Sequence, residues 1–305
     1  MVDAAVELGS LIDAEAAAAE AGGRLTEPVV DALTGAGLMA MWVPRELGGS
    51  ELSPMESLEV IEALSRADGS TGWVQMAANL STGTGAAYLA PQAAHQLFDH
   101  ELSVIAGHGA PLGRADVELG GFRLSGEWSY ASGLLHAGYV HTGGIVFEGH
   151  EPRIDAVTGQ PEFRVFVVPV EDAILMGNWD VLGLRATGSV DYSITNAFVP
   201  EGFTHLQHVK AANIGGDIYK LGILGFAAIG HTGFALGVGR RLLEELAALA
   251  RQESNRPFVL AERGGSDSFQ EQYGHFEASL LAARALAFHA WSDVEAEIFG
   301  PGPIS

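Results

Sequence analysis

Gly126-Glu127-Trp128-Ser129-Tyr130-Ala131-Ser132-Gly133, followed by His136-Ala137, puts two aromatics and two hydroxyls at the end of a strand-like run. Around it the texture stays β-rich. Val104-Ile105, Phe122-Arg123-Leu124, Tyr139 to Phe147, Phe163 to Val170 and Val190 to Val199 are separated by Gly, Pro and Asp. Several short strands without intervening helical patterns argue for an antiparallel barrel or sandwich, not a parallel sheet with crossover helices.

Outside this region the pattern is helical. Ser53-Pro54-Met55-Glu56 reads as a helix start with a capping box, followed by the apolar stripe Leu58, Ile61 and Leu64. Thr26-Glu27-Pro28 opens another helix with Val29, Leu33 and Ala36 on one face and Gly37 as its stop. Gly69 to Tyr88 predicts a further helix, and Pro91 begins a short one. After the β region, Leu221–Gln252 and Ser268–Phe299 read as two long helices joined by the turn-rich Asn255–Ser266. The expected organisation is α+β in three parts: an N-terminal helical domain over 1–101, a central β-barrel over 102–213 and a C-terminal helical bundle over 214–305. Two long helices do not close a bundle, and Gly300-Pro301-Gly302-Pro303 follows directly on the second, so the bundle is expected to be partial.

Composition narrows the function. The chain has 305 residues, 48% of them hydrophobic and 18% charged, which suits a packed protein. A formal net charge of -22 repels nucleic-acid backbones and anionic membrane surfaces, so neither is an expected partner. There is no cysteine, which removes disulfides, thiolate nucleophiles and thiolate metal sites. Acidic residues precede any basic one in the first twenty, unlike a secretory or transit leader, so a cytoplasmic location is expected. Leu221 to Gly239 carries no formal charge and is long enough to span a bilayer, but six glycines with His231 and Thr232 at its middle favour a buried bundle helix.

Common catalytic signatures are missing: no P-loop, no G-x-S-x-G elbow, no H-E-x-x-H. His136, His141, His205 and His208 lack a carboxylate at fixed spacing, so no metal is expected and each is read as a satisfied or solvent-facing histidine. On residues alone, Trp128 and Tyr130 are core aromatics and Ser132 a turn residue. A second segment changes that reading. Trp179-Asp180-Val181-Leu182-Gly183-Leu184-Arg185-Ala186-Thr187-Gly188-Ser189 leads into Asn196-Ala197-Phe198-Val199-Pro200-Glu201.

Together the two segments resemble the acyl-CoA dehydrogenase superfamily. Tyr130, Ala131, Ser132 and Ala137 occupy the places of its flavin-strand motif, and G-L-R-x-T-G-S with a trailing V-P-E matches at 183–201. Leu47-Gly48-Gly49 and the helix through Arg240 extend the likeness over nearly the whole chain. The resemblance implies flavin between barrel and bundle, with Trp128, Tyr130, Ser132, Gly133, Arg185 and Thr187 as cofactor-binding candidates. The residue matching Ser132 sits at the flavin N5 edge, where a hydroxyl can tune the reduced ring.

Gly107-His108-Gly109-Ala110-Pro111 replaces the T-E-P loop that dehydrogenases carry. That change and the W-S-x-A-S-G form resemble the two-component hydroxylases, which take reduced FMN or FAD from a separate reductase and use O2 to hydroxylate an aromatic or similar apolar substrate. Ser132 and His108 are then the catalytic candidates and a homotetramer the expected assembly. An FAD-dependent acyl-CoA dehydrogenase and a degenerate, non-catalytic member remain the alternatives at this level.

Overall fold

The computed structural model describes residues 1–100, 102–251 and 264–300. The expected helix end at Gln252, most of the Asn255–Ser266 join and the terminal Pro301–Ser305 lie outside them. Six helices come first: α1 (Val2–Glu7), α2 (Gly9–Gly22), α3 (Glu27–Gly35), α4 (Pro54–Ala67), α5 (Gly69–Tyr88) and α6 (Pro91–Phe98). Local chemistry sets their ends. The Ser53 hydroxyl accepts from the Glu56 amide while the Glu56 carboxylate accepts from the Ser53 amide, completing the expected capping box. Gly37 takes φ 72° just past α3, a left-handed stop that a side chain would strain.

Helix α5 is the spine of this layer. Most of its residues are buried, polar ones included: Gln75 and Asn79 bond the Leu38–Met41 segment, Ser70 bonds Glu20 of α2, and Thr82 bonds the Ile105 backbone at the start of the sheet. Asn79 accepts from the Met41 amide at 2.9 Å and donates to the Leu38 carbonyl at 2.8 Å. Gly83 has no side chain because a Cβ there would stand 2.6 Å from the Trp42 carbonyl. The Trp42 indole meanwhile donates to Ser57 of α4 at 2.7 Å.

Eight strands follow: β1 (Ile105–Glu118), β2 (Gly121–Ala131), β3 (Tyr139–Glu148), β4 (Glu151–Pro152), β5 (Phe163–Pro169), β6 (Ala173–Leu175), β7 (Val190–Pro200) and β8 (Thr204–Leu206). They make one sheet in the order β6-β7-β2-β1-β3-β5-β8, with β4 beside β3. Here the expectation needs two corrections. The sheet is not a closed barrel: β6 and β8, three residues each, are its edges and do not pair. Nor is it wholly antiparallel, because β1 and β3 run parallel. After β2 the chain turns at Gly133, crosses under β1 through a short 3-10 turn at Leu134–His136, and rises on its far side. The open sheet still curls round its own core. Phe122 on β2 meets Phe166 on β5 edge-to-face at 5.6 Å, and Trp128 stacks on Tyr192 of β7 at 5.3 Å.

Two long helices close the described chain, α7 (Gly222–Arg251) and α8 (Asp267–Ile298). They are tied by Arg240, whose guanidinium donates to both carboxylate oxygens of Glu277. The span-like apolarity of α7 now has a packing explanation. Phe226, Ile229, Gly230, Gly233, Leu236 and Gly237 form one buried face. Its glycines lie against the helical layer: a Cβ on Gly233 would be 3.1 Å from the Leu58 carbonyl, and one on Gly237 2.4 Å from the Glu62 carbonyl. Backbone packs on backbone along this seam.

A Gly237→Ala variant tests the seam by sign. In an ordinary helix the change stabilises by about 0.5–1 kcal/mol. At this contact it is expected to destabilise by about 1–3 kcal/mol through overpacking, lowering the calorimetric Tm by several degrees. A raised Tm would show that α7 does not approach α4 so closely.

Candidate active site

Sheet, α5 and α7 meet around two adjoining cavities of about 470 and 410 Å³, both lined by Trp73, His108, Tyr130, Ser132 and His231. Each lies in the range of about 300–1,000 Å³ that cofactor and substrate sites occupy. The larger lobe is walled mainly by apolar side chains, among them Met76, Leu80, Phe163, Val165 and Ile223. The smaller adds Trp179, Leu184, Thr187 and Ser189.

A β-bulge builds the junction between the lobes. Trp128 pairs with Tyr192 and Ala131 with Val190, so β2 carries one residue more than β7 over this stretch. The extra length is absorbed at Tyr130, which takes φ 63°. Strand alternation alone would put Trp128 and Tyr130 on one face; the bulge separates them. Trp128 stays inside the sheet core, 1% exposed, its indole donating to the Gly143 carbonyl at 3.0 Å. Tyr130 swings out to 65% exposure and meets Trp179 edge-to-face at 6.0 Å.

Ser132, just beyond the bulge, is buried and sits in a line of hydrogen bonds. The Trp73 indole donates to its hydroxyl at 2.9 Å, the hydroxyl lies 2.7 Å from that of Ser189, and Ser189 lies 2.7 Å from that of Thr187. Thr187 in turn donates to the Leu184 carbonyl at 2.8 Å. Left-handed Leu184 (φ 56°) and Gly188 (φ 51°) fold the Arg185–Thr187 turn so that both hydroxyls face inward.

The six cofactor candidates therefore divide. Tyr130, Ser132 and Thr187 line the cavities, while Trp128 packs in the core. Gly133 (φ 79°) serves the turn, its amide donating to the Thr187 carbonyl, and the exposed Arg185 lines neither lobe. His108 lines both lobes, with its Nδ1 buried and without a hydrogen-bond partner. Sequence reasoning missed Trp73, quoted Ser189 only as the end of a motif, and gave His141 no part in the site. It noted His231 only as an interruption of an apolar run. That imidazole packs edge-on against Trp73 at 5.4 Å, and its Nδ1 pairs with the Ala227 carbonyl at 2.7 Å, leaving Nε2 as the acceptor.

The reading of the other histidines as satisfied or solvent-facing is overturned at three of them. His136, His141 and His205 each have one ring nitrogen buried without a partner. Burial, with Arg24 nearby, pushes His136 down to about 4. Burial, reinforced by His205 and His108, pushes His141 down to about 3. Burial likewise holds His205 at about 4. Among the described residues no group of three or more His, Asp or Glu is placed to hold a metal ion.

The comparisons with known proteins agree with this architecture. Residues 9–94 match the acyl-CoA dehydrogenase N-terminal domain model. The indole-3-acetate monooxygenase of Pseudomonas putida is 32% identical over 280 residues, covering 88% of this chain and 68% of that protein. The flavin-dependent monooxygenase oxygenase subunit HsaA of Rhodococcus jostii is 30% identical over 178 residues, covering 58% of this chain and 44% of its own. The fold matches the crystal structure of 3-HSA hydroxylase from Rhodococcus sp. RHA1 with a TM-score of 0.85 at 20% identity, over 98% of this chain and 76% of that one. The chain belongs to the acyl-CoA dehydrogenase superfamily, in its flavin-dependent monooxygenase (hydroxylase) branch.

The buried histidines make stability pH-dependent. His141 and His205 stay neutral when folded but titrate near 6.5 when unfolded, so below that pH the unfolded chain binds more protons and stability falls with acidification. From pH 7 to 5.5 the pair is expected to cost about 2–3 kcal/mol. Urea unfolding at the two pH values measures this, and His141→Gln is expected to flatten the slope. An unchanged slope in that variant would mean His141 is charged or solvated when folded.

Proposed function

We propose that this chain is the oxygenase component of a monooxygenase that takes reduced FMN or FAD from a separate reductase and hydroxylates an aromatic or similarly apolar substrate. The carrying observation is the junction at Ser132, where a lobe rich in aromatics and hydroxyls opens onto an apolar one. Bound reduced flavin would supply two electrons, so that one atom of O2 enters the substrate and the other leaves as water.

The residues present fit such a group. Tyr130, Trp179 and Trp73 offer flat walls, and Ser132 and Thr187 offer polar atoms at their edge. The apolar lobe suits an aromatic ring: Met76, Leu80, Phe163 and Ile223 exclude water from it and hold it toward Ser132. His108 and His231 face both lobes, and the free Nε2 of His231 can accept a proton from a ring hydroxyl. The functional expectations of an acyl-CoA dehydrogenase or a non-catalytic scaffold have no observation of their own in the site.

Oxygen uptake with chemically reduced FMN and FAD and a panel of phenols and indoles tests the reading. Hydroxylated product at up to one per flavin oxidised is the expected outcome. Reduction of added flavin by acyl-CoA, or no flavin binding at all, would overturn it. Within that assay His108→Ala is expected to leave flavin affinity within a few-fold while lowering product formation about 10²-fold or more, the usual reach of an acid–base group. Equal loss of both would make His108 structural.

A homotetramer is the proposed assembly, and the cytoplasm the proposed location. Outward-facing Leu224 (74% exposed), Phe276 (56%), Leu281 (55%) and Leu286 (68%) on α7 and α8 support an association of copies through these helices. Light scattering at micromolar concentration is expected to give four copies, and a monodisperse monomer would contradict the proposal.

A further inference from the structure

We propose that Ser189 and Thr187 are positioning residues that fix which way the Ser132 hydroxyl points its proton, and that this polarity makes the site favour reduced over oxidised flavin. The inference rests on the flavin reading above, with the reactive ring edge at Ser132. It follows from counting protons along the hydrogen-bond line.

Each hydroxyl has one proton to give. Thr187 spends its own on the Leu184 carbonyl, which only accepts, at 2.8 Å. The 2.7 Å contact between Thr187 and Ser189 therefore uses the proton of Ser189. With that proton spent, the 2.7 Å contact between Ser189 and Ser132 uses the proton of Ser132. At the head of the line the Trp73 indole, which only donates, adds its N–H to the Ser132 oxygen at 2.9 Å. All four bonds run one way, from Trp73 through Ser132, Ser189 and Thr187 to Leu184. With its proton committed to Ser189, what the Ser132 hydroxyl has left to offer is a lone pair.

Nearby donors are spent too. The Ser132 amide donates to the Tyr130 carbonyl at 2.9 Å and the Gly133 amide to the Thr187 carbonyl at 3.2 Å. Reduced flavin carries N–H at N5 and can donate to the Ser132 lone pair. Oxidised flavin presents a bare nitrogen lone pair there, so two acceptors would face each other in a buried site. A mismatch of that kind weakens binding by about 10- to 100-fold. The line thus admits the form that a reductase delivers and lets go of the form left after turnover.

Anaerobic titrations with oxidised and dithionite-reduced FMN and FAD, followed by tryptophan fluorescence, read the ratio of the two dissociation constants. The parent protein is expected to bind the reduced form about 10-fold or more tightly. In Ser189→Ala the Ser132 proton is released to meet the oxidised N5, so the ratio is expected to fall about 10-fold, with oxidised flavin binding more tightly than in the parent. Ser189→Thr keeps the hydroxyl and is expected to keep the ratio. Thr187→Val lets Ser189 turn its proton toward Ser132 and is expected to lower the ratio as Ser189→Ala does, which covers the case that one variant does not fold. If the parent binds flavin in neither state, the flavin reading fails. If it binds both and the alanine and valine variants leave the ratio unchanged, the polarity proposal fails and the flavin reading stands.

Discussion

The indole of Trp73 donating to the hydroxyl of Ser132 is the bond on which this architecture converges, because it joins the helical layer to the working end of the sheet. Its two ends are held from opposite sides. Trp73 belongs to α5, which is anchored through Asn79 to the 38–41 loop and through Tyr88, whose hydroxyl donates to the Tyr219 carbonyl just before α7. Tyr219 in turn donates to the Trp42 carbonyl at 2.8 Å, so the loop, α5 and the approach to α7 form one braced unit. Ser132 is held by the β2 bulge and by the Leu184–Ser189 turn, two segments that meet only because β2 and β7 pair. A shift of either layer would part the hydrogen-bond line and open the junction between the lobes.

What the sequence made legible follows from the range of the interactions involved. The Ser53–Glu56 capping box and the Gly37 stop are settled within a few residues, and both stand as read. The strand texture of 102–213 is local as well, and no α-helix interrupts it among the described residues. Sheet closure and strand direction are not local. The parallel course of β3 beside β1 depends on a crossing at Leu134–His136 that no strand periodicity encodes, and three-residue edge strands carry too little pattern to show whether they pair.

The candidate site was half legible for a related reason. Two motifs with their register identified Tyr130, Ser132 and Thr187, which do line the cavities. The resemblance also nominated Trp128, but a single extra residue in β2 sends Tyr130 outward and leaves Trp128 in the core, as the reading from residues alone had it. Trp73 and Ser189 reach Ser132 from 59 and 57 residues away, so their roles exist only once the chain is folded. His231 stood out in the apolar run of α7. Its meaning came from its neighbour Trp73 on another helix.

The proposed chemistry depends on flavin occupying the junction between the two lobes. A crystal structure of the protein soaked anaerobically with dithionite-reduced flavin tests it most directly. Electron density for the ring is expected in contact with Tyr130 and Ser132, beside Trp73 and the Leu184–Ser189 turn. Ordered ring density elsewhere on the chain, with this junction filled by side chains or solvent, would contradict it.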